Sequence, residues 1–287
     1  MRKNVLITGG SGFIGSHVVD ALIKNNYKVT ILDLIHPKRK DVKFVKGSIL
    51  NESKIKSALK SVDIVFHLAA VSDINKVEKI PRKTIETNIL GTTNLLEASR
   101  KSNIKRFIFA SSVYSYGNAG NLYTTSKKSS ELIIKNYELL YGIKFTILRY
   151  TTAYGPRNRE VDAISIFVDR AIKNLDLIVH GNGKQKRNYL YVEDLAEGSM
   201  LAFKEKTKNK IITLASKNNI KIADLAKKII ALTNSKSKII FNKKNKRFDD
   251  FTSIYSYNNF KKSLYNWKPK YSISKGINKY INEKYKI

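Results

Sequence analysis

"NVLITGGSGFIGSHVVDALIKNN", residues 4–26, decides the fold. It opens on a short apolar run suited to a strand, passes through a glycine-rich turn, and continues with apolar residues at helical spacing. A strand, a tight turn and a helix in that order begin a parallel β–α–β unit. Gly9, Gly12 and Gly15 stand three apart across the turn, with Gly10 as an extra glycine. Gly9 permits the tight turn, Gly12 lets the backbone approach a pyrophosphate, and Gly15 lets helix and sheet pack closely. The start of the helix offers free N–H groups and the positive end of a dipole to phosphates. A second strand, "KVTILD" (28–33), ends in Asp33. That acid is placed to accept hydrogen bonds from an adenosine ribose and to repel a 2′-phosphate, which favours NAD over NADP. Lys38 and Arg39 follow closely enough to temper the preference.

The same alternation runs on. "VKFVKG" (42–47), "VDIVFHLA" (62–69), "IKRFIFAS" (104–111) and "IKFTILRY" (143–150) read as strands. Helical patterns fall at 51–60, about 82–101 and about 124–141. Near-continuous apolar strands belong to a parallel sheet buried on both faces. The expected fold is α/β, a Rossmann-type doubly wound parallel sheet with a smaller C-terminal lobe. Beyond residue 155 the pattern loosens. "AISIFVDRAIKN" (163–174) and "IADLAKKIIALT" (222–233) look helical, while "LDLIVHG" (175–181), "KIITLAS" (210–216) and "SKIIFN" (237–242) look strand-like. The expected division is 1–155 for the first domain, with about 189–215 returning to it, and 156–287 mainly for the second.

Composition excludes several chemistries. The 287-residue chain has no cysteine, so thiolate nucleophiles, disulfides and thiolate metal sites are ruled out. Its four histidines, His17, His36, His67 and His180, form no pair at helical ligand spacing, and no metal site is expected. The apolar run near Met1 is too short for a signal peptide or a membrane span, so the reading is a cytoplasmic protein without membrane insertion. The formal net charge of +31 raises the question of a nucleic-acid partner. The lysines, however, are spread along the chain. Their densest run, "NKKNKR" (242–247), has no interleaved aromatics to stack bases. Nucleic acid is therefore not the expected partner, although the field would draw in an anionic substrate.

The chemistry centres on "SSVYSYGNAGNLYTTSKKS", residues 111–129, which follows the fifth strand. Ligands of open α/β sheets sit at the C-terminal ends of the strands. Tyr123 and Lys127 are four apart in a helical pattern and share one face. A nearby ammonium favours the phenolate. For a tyrosine to act near neutrality its pKa must fall by an amount worth roughly 4 kcal/mol. Lys127, a cationic nicotinamide and partial burial are the expected sources of that fall. Ser112 is placed to hydrogen-bond the reacting oxygen.

Taken together, "TGGSGFIG" (8–15), Asp33, "HLAA" (67–70), "TNILGTTNLLEA" (87–98), "SSVYSYG" (111–117), "YTTSK" (123–127), "RYTTAYGPR" (149–157) and "GNGKQKRNYLYVEDLA" (181–196) resemble the extended short-chain dehydrogenase/reductase superfamily. Within it they resemble the NAD-dependent epimerase/dehydratase branch that acts on nucleotide sugars, over nearly the whole chain. The resemblance implies Tyr123 as acid/base, Ser112 as its hydroxyl partner, and Lys127 as the lysine that binds the nicotinamide ribose and tunes the tyrosine. It implies cofactor contacts from Gly9, Gly12, Phe13, Ile14, Gly15, Asp33, Ser48, Ile49, Leu68, Ala69, Ala70, Asn88, Tyr123, Lys127 and Tyr150. It implies substrate contacts from Ser111, Ser112, Tyr123, Thr152, Arg187 and Arg247, the two arginines as forks on a diphosphate. Tyr116 becomes a packing or pocket residue. The family also commonly pairs the helices at 82–101 and 124–141 in a homodimer, which is the expected assembly here.

Some positions depart from the family pattern. Thr152 stands where asparagine is usual, Ser48 where an acid is usual, and "RNY" (187–189) replaces "RDF". Only five residues separate Gly117 from Tyr123, where many relatives carry a longer loop. Dehydratases of the family place an Asp-Glu pair after the serine or threonine. Here Val113 and Tyr114 follow Ser112, and neither is a carboxylic acid. A reductase would favour NADPH, which Asp33 disfavours. The expectation is an NAD-dependent nucleoside-diphosphate-sugar epimerase acting at C4. Dehydratase and keto-sugar reductase activities remain alternatives within the family. A non-catalytic NAD-sensing or RNA-associated protein is the rival from another class.

Overall fold

The computed structural model describes residues 2–117, 121–158, 162–217, 219–242 and 267–286. The chain forms two compact units, residues 1–150 with 199–213, and residues 151–198 with 214–287. Both crossing points differ by a few residues from the sequence reading, which placed 151–155 and 189–198 with the first unit. Strand pairing is the reason, because residues 152–154 hydrogen-bond in parallel to residues 189–191 inside the second unit.

In the first unit the chain runs through β1 (Asn4–Thr8), α1 (Phe13–Lys24), β2 (Lys28–Asp33), β3 (Lys43–Lys46), α2 (Glu52–Ala58), β4 (Ile64–His67), α3 (Ile74–Lys79), α4 (Pro81–Ile85), α5 (Gly91–Lys101), β5 (Arg106–Ser112), α6 (Leu122–Tyr141) and β6 (Phe145–Tyr150). The chain next forms β7 (Thr152–Tyr154), α7 (Ala163–Ile172), β8 (Leu177–His180), β9 (Lys186–Arg187), β10 (Tyr189–Tyr191) and α8 (Val192–Ser199). It ends with β11 (Lys210–Leu214), β12 (Ile220–Lys221), α9 (Ile222–Leu232), β13 (Ile239–Asn242) and α10 (Ile273–Tyr285).

Seven strands make one sheet in the order β3-β2-β1-β4-β5-β6-β11. Every residue of β4 and β5 is buried, as both-face coverage by helices requires. The edge strand β3 carries Lys43 and Lys46 as exposed ends, which blunts it against pairing with another chain. The strand order reverses between β1 and β4, and the C-terminal ends of these two strands form the crevice where such sheets bind ligands. Local signals set the helix ends. Asn121 accepts a hydrogen bond from the Thr124 N–H and starts α6 two residues earlier than the apolar spacing suggests. Gly142, in the left-handed region at φ 72°, ends it.

The stretch read as one helix over 82–101 contains a π-helical turn, Glu86–Leu90, between α4 and α5. In that turn the Asn88 carbonyl accepts the hydroxyls of Thr92 (2.6 Å) and Ser130 (2.9 Å). Because Thr92 spends its only proton there, it accepts from His67 Nε2 at 2.9 Å. His67 Nδ1 then accepts the Thr8 hydroxyl at 2.7 Å. One neutral tautomer of His67 thus bridges β1, β4 and the π turn. Burial, assisted by the charge of Lys127, pushes its pKa down to about 3.

The second unit is built on small pairings. β7 with β10 and β8 with β13 are parallel, and β9 with β12 is antiparallel. Its core holds Tyr154, Phe167, Tyr189, Tyr191, Leu225, Ile229, Ile277 and Tyr280. Asp162 caps α7 by accepting the N–H groups of Ile164 and Ser165. Gly276 lets α10 lie against Tyr154, since a Cβ at this position would collide with the phenol oxygen.

Two stability tests follow from these contacts. Unfolded His67 titrates near 6.5 and folded His67 near 3, so the unfolded chain takes up the extra proton first on acidification. Stability from this group is full above pH 6.5 and is lost as pH falls toward 3. Urea denaturation at pH 7 and pH 4 should show a smaller acid loss for His67→Gln than for the parent, by on the order of a few kcal/mol. For the second unit, Gly276→Ala should cost about 1–3 kcal/mol by overpacking. Tyr154→Phe in the same chain should recover part of that loss, because it removes the colliding oxygen.

Candidate active site

The glycine turn is closed from both sides. Gly9 has φ +73°, and a Cβ there would come within 2.8 Å of the Ala69 backbone nitrogen. A Cβ on Gly15 would collide with the Gly9 carbonyl oxygen. α1 begins at Gly12 with no side-chain cap, so its first N–H groups face the crevice. Ser11 Oγ is buried there with no hydrogen-bond partner. A bare helix N-terminus beside an unsatisfied hydroxyl and a side-chain-free backbone fits a pyrophosphate. Phe13 and Ile14 open the helix, and Leu68, Ala69 and Ala70 line the facing end of β4. There the Leu68 N–H donates to the Thr8 carbonyl and the Ala69 N–H to the Thr8 hydroxyl.

Asp33 ends β2, half-exposed, and accepts the N–H of Ser11 (3.0 Å) and of Ile35 (3.1 Å). These bonds hold the carboxylate beside the turn with lone pairs left for ribose hydroxyls. Arg39 is bonded to two other acids. Its guanidinium is forked onto Asp41 and also bonded to Asp20 at 2.6 Å. The residues present therefore fit an adenine dinucleotide with a free 2′-hydroxyl.

Five of the residues expected to touch a ligand pack or bond within the protein. Ile49 is buried in the core, where it fills the space that a Cβ on Gly91 would take. Neighbouring Ser48 accepts the Leu50 N–H. The Asn88 amide spans the Val71 N–H and carbonyl and donates to Ser126, so it positions the loop after β4 against α6. The Tyr150 phenol is buried on Ser199 at 2.8 Å. Ser111 is buried, and its hydroxyl donates to Glu131 and meets Ser115. Alternation along β5 explains that difference, because successive side chains point to opposite faces.

Tyr123, Lys127 and Ser112 come together. Asn121 starts α6 so that Tyr123 stands in its first turn, and Lys127 follows one turn later. The Ser112 hydroxyl reaches the Tyr123 phenol and accepts the Tyr114 N–H. Lys127 Nζ donates to the Ala110 carbonyl at 2.7 Å and lies 4.6 Å above the Phe109 ring and 5.8 Å from the Tyr123 ring centre. Burial raises the Tyr123 pKa above the ordinary tyrosine value, with Tyr114 adding to the rise and the Ser112 hydrogen bond opposing it. Of the three sources expected to lower it, burial acts in the opposite direction. Burial also brings Lys127 itself down to about 7, with Glu131 opposing the fall.

The sequence reading missed the group beneath this site. Glu131 is forked onto Arg149 at 3.0 and 2.6 Å, and the Arg149 guanidinium lies 4.3 Å above the Tyr116 ring. Tyr116 in turn bonds Thr213 at 2.6 Å, so it packs and braces. The signal was present in the spacing, for Tyr123, Lys127 and Glu131 fall at successive turns of one helix face.

In the second unit Thr152 is a half-buried residue at the start of β7. Arg187 is half-buried on β9, opposite Ile220 of β12, and donates to the Lys186 carbonyl. Asn188 follows, where the family has an acid. It uses both ends of its amide, donating to the Ser216 carbonyl and Asn219 while accepting the Ser216 N–H. An aspartate could not donate those bonds. Arg247 lies outside the described residues. Among the described residues no helix is long and apolar enough to cross a membrane.

Comparison with known proteins agrees with this geometry. Residues 5–215 match the profile of the NAD dependent epimerase/dehydratase family. A Methanocaldococcus jannaschii protein provisionally named as a UDP-glucose 4-epimerase is 35% identical, covering 97% of each chain. A Bacillus cytotoxicus UDP-N-acetyl-alpha-D-glucosaminuronate decarboxylase is also 35% identical, covering 84% of this chain and 83% of the relative. Among solved structures, a UDP-glucose 4-epimerase with UDP-glucose from Thermotoga maritima superposes with a TM-score of 0.90 at 31% identity, over 99% of both chains. With its seven-stranded parallel sheet and a crevice fitted to NAD, the chain belongs to the NAD dependent epimerase/dehydratase family, whose members are nucleotide-sugar enzymes.

Proposed function

We propose that the protein is a nucleoside-diphosphate-sugar 4-epimerase. The observation that carries this reading is the set Ser112, Tyr123 and Lys127 with Val113 and Tyr114, neither a carboxylic acid, directly after Ser112. Val113 and Tyr114 open the short 3₁₀ turn after β5, and Val113 is buried. An acid–base pair able to move a C5 proton and expel the C6 hydroxyl is missing from those two positions. A 4-epimerase has no need of one.

The residues divide the work. The glycine turn, Ser11 and Asp33 hold the dinucleotide, and the Lys127 ammonium takes the nicotinamide ribose. Bound there, NAD would supply the redox chemistry as a reversible hydride acceptor. Tyr123 removes the proton from the C4 hydroxyl and later returns it to the C4 oxygen. Ser112 holds that oxygen in line. The 4-keto sugar presents its other face between the two steps, so the alcohol returns inverted. Thr152 and Arg187 are proposed for the second unit's share of the substrate, with Arg187 as a charge-assisted fork on the diphosphate. The bound UDP-glucose of the Thermotoga maritima enzyme supports a nucleotide sugar as substrate. So does a Bacillus cereus UDP-glucuronic acid 4-epimerase solved with its sugar nucleotide and NAD, at 26% identity and a TM-score of 0.85.

A homodimer is part of the proposal. Leu90, Leu132, Leu139 and Leu140 stand exposed around the π turn and along α6. Pairing these helices with a second copy would cover them. A monomer mass in solution scattering would remove this element.

The test is proton NMR in deuterated water with NAD and a panel of UDP-, dTDP-, GDP- and CDP-sugars. Inversion at C4 with no deuterium entering the sugar is the expected result. Deuterium at C5, or loss of the C6 hydroxyl, would instead show a dehydratase. Tyr123→Phe should lower turnover by about 10²–10⁴-fold while NAD still binds. Gly15→Ala should do the reverse to binding, abolishing NAD uptake measured by calorimetry, because the new methyl collides inside the turn.

A further inference from the structure

Lys127 presents a problem that the proposed mechanism does not solve. Its amine must carry a charge to hold a ribose and to favour the Tyr123 phenolate, yet it is buried with only 4% of its surface exposed. Burial of a charge calls for a compensating one. The charged and titratable groups that face it are few. Tyr123 and Glu131 come from its own helix. His67 comes from β4 and is neutral in its bridge. β5 supplies the Phe109 ring and the Ala110 carbonyl. Arg149 of β6 lies beyond Glu131, committed to it by two hydrogen bonds. Among the described residues Glu131 is thus the one carboxylate in the set.

We propose that Glu131 is a positioning residue for the reaction: forked on Arg149 and bonded to Ser111, it fixes α6 against β5 and supplies the negative charge that keeps Lys127 an ammonium. The inference rests on the reading of Lys127 as the cofactor- and tyrosine-directed lysine. Arg149 has two tasks in this arrangement. It orients the carboxylate, and it is itself braced by the Tyr116 ring, whose hydroxyl is tied to Thr213. The direction of the local field agrees, since Glu131 opposes the desolvation that lowers Lys127. Ser111 gains a role that a substrate contact would not give it. It satisfies a carboxylate oxygen from the strand that also carries the Ala110 acceptor.

The experiment reads Lys127 directly and uses no sugar, so a failed epimerase reading would leave it unaffected. The full-length protein is trace-labelled with acetic anhydride across pH 5–11, and the Lys127 peptide is quantified by mass spectrometry. Circular dichroism monitors folding. In Glu131→Gln the midpoint of Lys127 labelling should move down by about one pH unit, because the counter-charge is gone. In Glu131→Gln with Arg149→Met it should still lie below the parent, though by less, because a positive charge has gone as well. If the fork only holds the helix in place, loosening it would expose Lys127 and move the midpoint up toward an ordinary lysine. A rise, or no change in the double variant, overturns the proposal. If Glu131→Gln alone does not fold, the double variant decides, since it leaves no unpaired buried charge.

Discussion

The ligand end of the first unit depends on one close approach, that of the backbone after β1 to the backbone after β4. At Gly9 there is no room for a single methyl group before Ala69 is reached, and at Gly15 none before the Gly9 carbonyl. This closeness brings the bare start of α1, the orphan Ser11 hydroxyl and Asp33 into one crevice. His67 maintains it from within, by tying β1 to β4 and both to the π turn through two hydroxyls. The π turn then fixes Asn88, and Asn88 fixes α6 through Ser126. The helix that carries Tyr123 and Lys127 is thus positioned by a chain of polar contacts that starts at the glycines.

Buried polar groups are costly unless each finds a partner. Around the site two networks pair such groups and divide the labour. One runs from Thr8 through His67 and Thr92 to Asn88, and it is uncharged. The other runs from Ser111 through Glu131 and Arg149 to Tyr116 and Thr213, and it holds an ion pair. Lys127 stands between them. Its low pKa and the high one of Tyr123 are two sides of the same desolvation, and the field of Glu131 is the lever that acts on the lysine.

Much of this was legible in the residues. Glycine spacing, apolar runs and the Tyr123–Lys127 interval report local geometry, and local geometry is what short-range sequence pattern encodes. The sheet, the turn and the shared helix face of Tyr123 and Lys127 were therefore readable. The π turn was not, because the stretch that holds it has the periodicity of a single helix. The side-chain direction of Ser111 was not, because a serine pair at a strand end does not say which hydroxyl turns inward. The fate of Arg39 was hidden too, since its partner Asp20 lies nineteen residues away on α1.

Residues 199–213 belong to the first unit although the second unit begins before them. Arg106 shows what this means for a chain made from its N-terminus. Its guanidinium lies buried in the sheet and donates to the Ala202 carbonyl and toward Glu205, besides Thr146. β11, the last strand of the sheet, also lies in that late segment. On the ribosome the first unit therefore waits, with a buried cation short of acceptors and one sheet edge open, while α7, β10 and α8 are synthesised. Its completion is an event of late translation, and a chain stalled at residue 150 would hold Ser112, Tyr123 and Lys127 without the strand that closes the sheet.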